Sequence, residues 1–182
     1  MFYTSGDPHA MCGNCPRFGK LWSCPPYDFD AKLFISQYKT ANLLALKISP
    51  ASDTDATDAF SAKNIEHTLR IFRVLLDPLL LDIESRTPAS LALFAGSCIL
   101  CGENSCARAK GKQCKNPQNM RYSLESLGFN VASMADIMLN IKLDWATPKS
   151  PCKYLCLICA LLSKSEVDLS EICANLSGEK QL

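Results

Sequence analysis

Seven of the eleven cysteines in this 182-residue chain form two groups whose spacing is typical of metal ligands. The first group has the pattern C-x2-C-x8-C and consists of Cys12, Cys15 and Cys24. The second has the pattern C-x2-C-x4-C-x7-C and consists of Cys98, Cys101, Cys106 and Cys114. In a reducing compartment, cysteines at such spacings bind metal more often than they form disulfides. Both groups are therefore predicted to be metal ligands.

The second group favours an iron–sulfur cluster over zinc. Four thiolates within seventeen residues suit one compact site, which is either a [4Fe–4S] cluster or a zinc ion. Zinc sites with four cysteines usually contain two C-x2-C pairs, whereas this group contains one, at Cys98 and Cys101. We therefore predict a [4Fe–4S] cluster here and keep zinc as the alternative cofactor.

The first group has three thiolates, one fewer than a closed tetrahedral site requires. His9, a residue outside the motif, solvent or substrate could occupy the fourth position. Pro25 follows Cys24, and a proline after a ligand cysteine also occurs in iron–sulfur loops. We expect a second cluster with one labile or non-cysteine position. A different arrangement stays open, in which Cys12 and Cys15 share a single site with one pair from the second group.

Basic residues surround the second group of cysteines. A four-thiolate centre has a formal charge of about −2 with either metal, so nearby cations favour both. The chain as a whole has a formal charge of +1, and no aromatic residues alternate with these cations, which argues against nucleic acid as a partner. The cations are Arg108, Lys110, Lys112, Lys115 and Arg121, and the acidic residue in the same stretch is Glu103.

Two residues that follow the second group are candidates for supporting the metal ligands. Arg121 and Glu125 are four residues apart on a predicted helix, where they either pair with each other or face the cluster. The sequence identifies no catalytic residue, because it contains no motif for phosphate binding, dinucleotide binding or serine hydrolysis.

The remaining cysteines are predicted to have no metal-binding role. Cys152, Cys156 and Cys159 belong to a strongly apolar stretch, and on a strand Cys156 and Cys159 would point to opposite faces. We interpret all three as small buried hydrophobic residues. Cys173 has no partner at ligand spacing, and His67 lies within a helical pattern, where we expect it on the helix surface.

The stretches around the cysteine groups predict one α/β domain over residues 1–182. Hydrophobic residues make up 48% of the chain, enough for a globular core. The fold class is a small sheet with a βαβ unit and two irregular cysteine-rich metal-binding loops. The predicted order is a first cysteine loop at 5–28, a strand–helix–strand unit at 42–96, a second cysteine loop at 98–117, helices and a last strand at 119–162, and a tail at 163–182.

Hydrophobic patterns set the boundaries of the predicted strands and of the helix between them. Buried strands at 42–48 and 89–95 should form a parallel pair, because a helical pattern at 59–85 connects them. Pro78 should end or kink this helix. A polar loop at 51–58 precedes it.

Shorter elements flank this unit. Asp28 or Asp30 is expected to cap a short helix after the first loop. Two further helices are predicted at 119–127 and 133–143. The apolar run at 153–162 is interpreted as a third buried strand, with a helix as the alternative.

The ends and the apolar runs indicate a cytoplasmic protein without membrane contact. The first ten residues lack the basic start and apolar stretch of a secretory signal. The longest apolar run, at 154–162, has nine residues, against roughly 20 for a membrane-spanning helix.

Both motifs resemble those of the predicted metal-binding proteins grouped as domain of unknown function 2284. The resemblance covers nearly the whole chain, and it implies a small cytosolic metal-binding protein without a settled reaction. The family usually has Arg and Asp where this chain has Lys115 and Asn130, so a role that requires an acid at 130 would be lost. Besides the seven cysteines, the resemblance rests on Phe18, Gly19, Trp22, Pro25, Pro26, Pro117, Arg121, Ser123, Glu125, Gly128 and Val131.

Together these patterns predict an iron–sulfur protein with one or two clusters and a redox or electron-transfer role. Its partner, a redox protein or a small molecule, is not identified by the sequence. The alternative is a zinc-stapled binding module that catalyses no reaction, since zinc accepts the same ligands.

Overall fold

The computed structural model of this chain describes residues 12–50, 60–102, 105–167 and 169. These residues contain one sheet, whose strands are β1 (Thr40–Ile48), β2 (Ser90–Leu93) and β3 (Leu155–Ser163). Their α-helices are α1 (Ala31–Ser36), α2 (Ile65–Arg86) and α3 (Val131–Leu139). Single turns of 3-10 helix span Ala107–Lys110 and Glu125–Leu127. The mixed α/β class predicted from the sequence is confirmed.

The last strand occupies the centre of the sheet. The strand order is β1-β3-β2, and β3 is antiparallel to both neighbours, with Ile48 opposite Leu155 and Leu93 opposite Ala160. β1 and β2 therefore run in the same direction but do not pair, so the predicted parallel pair is wrong. The reason is hydrophobic burial: the apolar run of β3 is covered on both faces, and the central position buries it best.

The first strand is an edge strand and is only partly buried. Ala41, Ala45 and Lys47 are exposed, whereas Ile48 is buried. The prediction of a buried strand at 42–48 was thus right about the strand and wrong about its environment. Among the described residues, β1 pairs with β3 alone, so its other edge is left without a strand and part of the strand stays exposed.

Two hydrophobic clusters cover the two faces of the sheet. On β3, Leu157, Cys159 and Leu161 join the first cluster, which contains Leu80 and Ile83 of α2. The alternate residues Ile158, Ala160 and Leu162 join the second cluster, which contains residues of α1 and α3. Side chains that alternate along a strand point to opposite faces, so helices flank the sheet on both sides. Cys156 packs on the second cluster and Cys159 on the first, as predicted.

Pro78 was predicted to end or kink helix α2, and the helix does not end there but continues to Arg86. Proline removes one backbone hydrogen bond and disfavours the preceding turn. Leu80 and Ile83, which follow the proline, are almost fully buried against the sheet, and Pro78 itself faces solvent. Packing of the second half of the helix therefore outweighs the penalty. His67 is exposed on this helix, as expected.

The two shorter helices begin at polar caps. Asp30, one of the two predicted caps, accepts a hydrogen bond from the Leu33 N–H at 3.0 Å and caps α1. Asn130 accepts one from the Ser133 N–H at 3.0 Å and caps α3. Such caps satisfy backbone N–H groups that have no partner within the helix.

The helix predicted at 119–127 is present only as the single turn at Glu125–Leu127. The backbone before that turn is bonded elsewhere, because the Phe94 N–H donates to the Tyr122 carbonyl at 2.8 Å. The helix predicted at 133–143 begins and ends earlier, at Val131 and Leu139. His9, Glu103, Cys173 and the loop at 51–58 lie outside the described residues.

Candidate metal centre

The second cysteine loop starts and finishes beside the same end of β2. The chain leaves the strand through Phe94 and returns at Tyr122, where the two backbones are hydrogen-bonded and Phe94 bridges Ser123. Gly96 has φ +85° at the start of the loop, a left-handed conformation that strongly favours glycine. The four cysteines of the second group thus lie on a loop whose two ends are held together.

Arg73 of α2 anchors the start of this loop. Its Nη1 donates to the Ser97 carbonyl at 2.5 Å, one residue before Cys98. Its Nη2 donates to Oδ2 of Asp77 at 2.7 Å, and both side chains are about 5% exposed. Burial raises the pKa of Asp77, and the positive charge of Arg73 opposes that shift. The ion pair therefore places a charged donor under the second cysteine loop.

Sequence reasoning missed Arg73 and Asp77. A signal was present, because both residues lie four apart on the apolar face of the helical pattern that carries Leu69 and Leu80. A pair of opposite charges on the core-facing side of a helix indicates a buried ion pair with a structural or functional role.

Arg121 anchors the end of the loop, and its partner is Glu84 rather than Glu125. Its Nε donates to Oε2 of Glu84 at 2.7 Å, and Nη2 donates to Oε1 of the same carboxylate. Its Nη1 donates to the carbonyls of Gln118 and Met120 at 2.7 and 2.9 Å. Of the two predicted arrangements, a pair between Arg121 and Glu125 is therefore wrong, since residue 121 is not helical and its guanidinium binds Glu84 of α2.

All four cysteines of the second group line one cleft. Each is partly buried, so the cleft opens toward solvent. Asn116 donates from Nδ2 to Sγ of Cys101 at 3.5 Å, a contact of the kind that stabilises thiolate sulfur. The cleft is lined by Cys98, Cys101, Cys106, Cys114, Leu21, Trp22, Asn116 and Met120.

The three cysteines of the first group are neighbours of one another. Burial raises the pKa of Cys24 to about 11, and negative charge on Cys15 and Cys12 acts in the same direction. Cys12 is half-buried, Cys15 is exposed and Cys24 is buried. Burial also raises the pKa of Cys98 in the second group. Thiols in such surroundings are protonated at neutral pH, so metal binding would release their protons.

The two cysteine loops are docked against each other. The Ser23 hydroxyl accepts a hydrogen bond from the Cys98 N–H at 2.9 Å and lies 3.9 Å from Sγ of Cys24. The indole N–H of Trp22 donates to the Lys112 carbonyl at 3.1 Å. Ser23 is fully buried, so this contact is shielded from water. Residues of the first loop therefore form a wall of the cleft that holds the second group.

Arg108 clamps the two loops together. Its guanidinium, on the second loop, donates to the carbonyls of Leu21, Cys24 and Pro26 on the first. It also lies 5.2 Å from the centre of the Trp22 ring, in cation–π geometry. The sequence analysis related this charge to a thiolate centre, whereas the guanidinium contacts backbone carbonyls and the Trp22 ring.

Replacing Arg108 by alanine is expected to lower the free energy of unfolding by about 2 kcal/mol, because several charge-assisted hydrogen bonds are lost at a partly exposed site. Arg108→Lys should recover less than half of that loss, since an ammonium cannot reproduce the planar fork. Urea unfolding of the protein measures both changes. The matched control is Arg86→Ala, which removes an exposed pair with Asp82 and should change stability by less than about 0.5 kcal/mol. Equal stability of the lysine variant and the wild-type chain would contradict the clamp.

The donor set fits a thiolate-bound centre, although no ready single-ion site is formed. All seven cysteines of the two groups are thiols rather than disulfides. Across residues 12–50, 60–102, 105–167 and 169, no three His, Cys, Asp or Glu side chains are grouped to hold one metal ion. What the described residues provide is a common cleft for four thiols and an N–H donor aimed at one sulfur.

Family comparison agrees with this donor set. The family described as "Predicted metal-binding protein (DUF2284)" matches residues 4–162. The chain belongs to this family. No curated protein and no solved structure matches the chain. Among the helices of the described residues, none is long and apolar enough to cross a membrane.

The structure also explains one departure from the family pattern. Asn130 stands where the resemblance implies an aspartate, and its side chain caps α3. Asparagine and aspartate are about equally good at this position. The cap is therefore retained in this DUF2284 member.

Proposed function

We propose that this DUF2284 protein is an iron–sulfur protein with a redox or electron-transfer role. In this proposal Cys98, Cys101, Cys106 and Cys114 hold a [4Fe–4S] cluster, and Cys12, Cys15 and Cys24 hold a second metal group. The observation that carries it is the single cleft lined by all four cysteines of the second group. Bound there, a cluster would supply one-electron chemistry.

The lining of the cleft supports a cluster in particular. Leu21, Trp22 and Met120 form apolar walls, which lower the local dielectric and so tune a reduction potential. The hydrogen bond from Asn116 to the Cys101 sulfur is a second feature that would tune the reduction potential. A structural zinc ion needs neither of these features for its role, which is to close the loop.

Two separate groups are favoured over a shared site. No cysteine of the first group lines the cleft. The first loop contributes Leu21 and Trp22 to the lining instead. The pKa of Cys24 is raised by charge on Cys15 and Cys12, and that of Cys98 by charge on Cys101 and Cys114. Each set of thiols thus interacts most closely with members of its own loop.

The position of the cleft suits exchange of electrons with a partner. All four cysteines are partly exposed, so a partner could approach the cluster closely. Lys110, Lys112 and Lys115 are exposed on the same loop. Their charge would favour an acidic redox protein or an anionic small molecule.

The test is anaerobic purification followed by a visible absorption spectrum, with iron, sulfide and zinc quantified on the same sample. About eight irons with matching sulfide and a broad band near ~400 nm are expected for two [4Fe–4S] clusters. About four irons would restrict the cluster to the second loop. One or two zinc ions without colour would overturn the redox role and support the zinc-stapled module instead.

A further inference from the structure

We propose that the carboxylate of Glu125 supplies the ligand that the three cysteines of the first loop lack. This inference rests on the proposed function, because it requires the first loop to hold a metal group. The sequence left the fourth position to His9, an outside residue, solvent or substrate, and the structure brings a carboxylate of this chain to that loop.

Glu125 is an unusual acid in this structure because one of its oxygens is buried without a partner. Oε2 is excluded from solvent and has no hydrogen-bond partner among the described residues. Burial raises the pKa of Glu125, and the Glu125 backbone N–H, the Ser123 hydroxyl and the positive charge of Arg73 act in the opposite direction. A buried carboxylate oxygen without a partner is costly, and such atoms normally bind a donor or a cation.

The residue lies against the first cysteine loop. The thiol of Cys12 approaches the Glu125 backbone carbonyl, with Sγ 4.0 Å from the oxygen. The charge of the Glu125 side chain contributes to the raised pKa of Cys12, after burial and the charge of Cys15. Glu125 and Cys12 are therefore neighbours in the fold, although they are 113 positions apart in the sequence.

The 3-10 turn holds Glu125 in this place. Ser123 and Ser126 exchange hydrogen bonds across it, each hydroxyl accepting from the other's backbone N–H at 3.2 and 3.0 Å. Gly128 ends the turn with φ +96°. The turn follows directly on the backbone pairing of Tyr122 with Phe94, so its position is set by the sheet. A ligand on such a support is oriented by the fold rather than by the loop it serves.

The chemistry matches what the first loop needs. Three thiolates and one carboxylate complete four-coordination, and carboxylate oxygen is an ordinary protein ligand for zinc and for iron. Arg73 places positive charge near Glu125, and Arg17 places positive charge near Cys24. These charges offset those of the four negative ligands. No three of these four side chains are grouped around one point in the part of the chain that the structure describes, so binding of the metal would draw the ligands together.

The test compares Glu125→Gln with the wild-type chain and with Cys12→Ser after anaerobic purification. Glutamine keeps the size of the side chain but removes the anionic ligand. We expect Glu125→Gln to lose the first-loop metal, so that its iron, sulfide and zinc contents match those of Cys12→Ser. The double variant, Cys12→Ser with Glu125→Gln, should lose no more metal than either single variant. Glu166→Gln, which changes an exposed acid, serves as the control and should keep the full metal content.

Two further measurements separate ligation from a structural role. With metal removed by a chelator, Glu125→Gln should be at least as stable as the wild-type chain, because it removes a buried charge. Glu125→Cys should retain the first-loop metal, since a thiolate can replace the carboxylate as ligand. A chelator-treated Glu125→Gln less stable than the chelator-treated wild-type chain, or a Glu125→Cys chain without first-loop metal, would contradict ligation.

Full metal content in Glu125→Gln, with unchanged release to a chelator, would overturn the inference while leaving the proposed function intact. The inference would also be overturned if the wild-type chain held metal only in the second loop, so that Cys12→Ser had the same metal content as the wild-type chain. A wild-type chain without iron would overturn the proposed function itself. If zinc were then bound in the first loop, the same comparison of variants would still decide the role of Glu125.

Discussion

Replacing Cys98 by serine is expected to remove the cluster of the second loop, about four irons per chain. Cys98 lines the common cleft and follows Ser97, the residue held by Arg73. Its loss leaves three thiolates where a cluster normally has four. Iron, sulfide and protein are quantified on the soluble fraction after anaerobic purification. Soluble yield should fall as well, because metal binding and the folding of such a loop are coupled.

Cys159→Ala is the matched control for this experiment. Cys159 is about 1% exposed and packs in the core beneath α2, away from both cysteine groups. Its replacement should lower the free energy of unfolding by about 1 kcal/mol and leave the metal content per soluble chain unchanged. Cys101→Ser should behave like Cys98→Ser. Equal metal content in Cys98→Ser and Cys159→Ala would refute the ligand assignment.

Replacing Arg73 by methionine is expected to destabilise the protein by about 3–5 kcal/mol, the cost of leaving one member of a buried ion pair without its partner. The carboxylate of Asp77 would remain about 4% exposed with no cation beside it. The Ser97 carbonyl would lose its donor at the same time. The midpoint of urea unfolding, with an unchanged denaturant slope, measures the effect.

A double variant distinguishes charge from packing. Arg73→Met combined with Asp77→Leu removes both charges and should recover more than half of the lost stability, because an apolar pair of similar volume is tolerated in such positions. The double variant should still release its second-loop metal faster than the wild-type chain, since the Ser97 anchor is absent. If the single variant lost less than about 1 kcal/mol, the pair would not be a buried charge pair in solution.

Elements that depend on a local pattern were predicted correctly from the sequence, although a helix was left open for the last strand and Asp28 for the cap. The apolar run at 153–162 is a strand, the pattern at 59–85 contains a long helix, and Asp30 caps the first short helix. In each case the signal is carried by neighbouring residues, as periodicity or as a cap. The opposite placement of Cys156 and Cys159 follows from the same period of two.

Elements whose conformation depends on distant residues were predicted poorly. The segment at 119–124 has a helical pattern, but its backbone bonds to Phe94 instead. Strand pairing was also wrong, because local pattern does not reveal that β3 inserts between β1 and β2. Helix α2 passes Pro78 because packing of its second half against the sheet outweighs the local penalty.

For the candidate site, the division between local and distant information is the same. The grouping of four cysteines was readable from their spacing, and the structure places all four around one cleft. The residues that hold this cleft in place could not be predicted from the sequence. Arg73 and Glu84 come from α2, and Arg108 binds carbonyls more than eighty residues away in sequence.

By itself, then, the sequence determined the two groupings of cysteines, the mixed α/β class and membership of a family of predicted metal-binding proteins. These depend on residue identity and short spacing, which a linear pattern records in full. The tertiary structure alone decided that residues of the first loop line the cleft that contains the four cysteines of the second loop. It also decided that a buried ion pair anchors the second loop and that Glu125 lies beside Cys12. Contacts of this kind form only when the sheet and α2 bring distant segments together, so no local pattern specifies them.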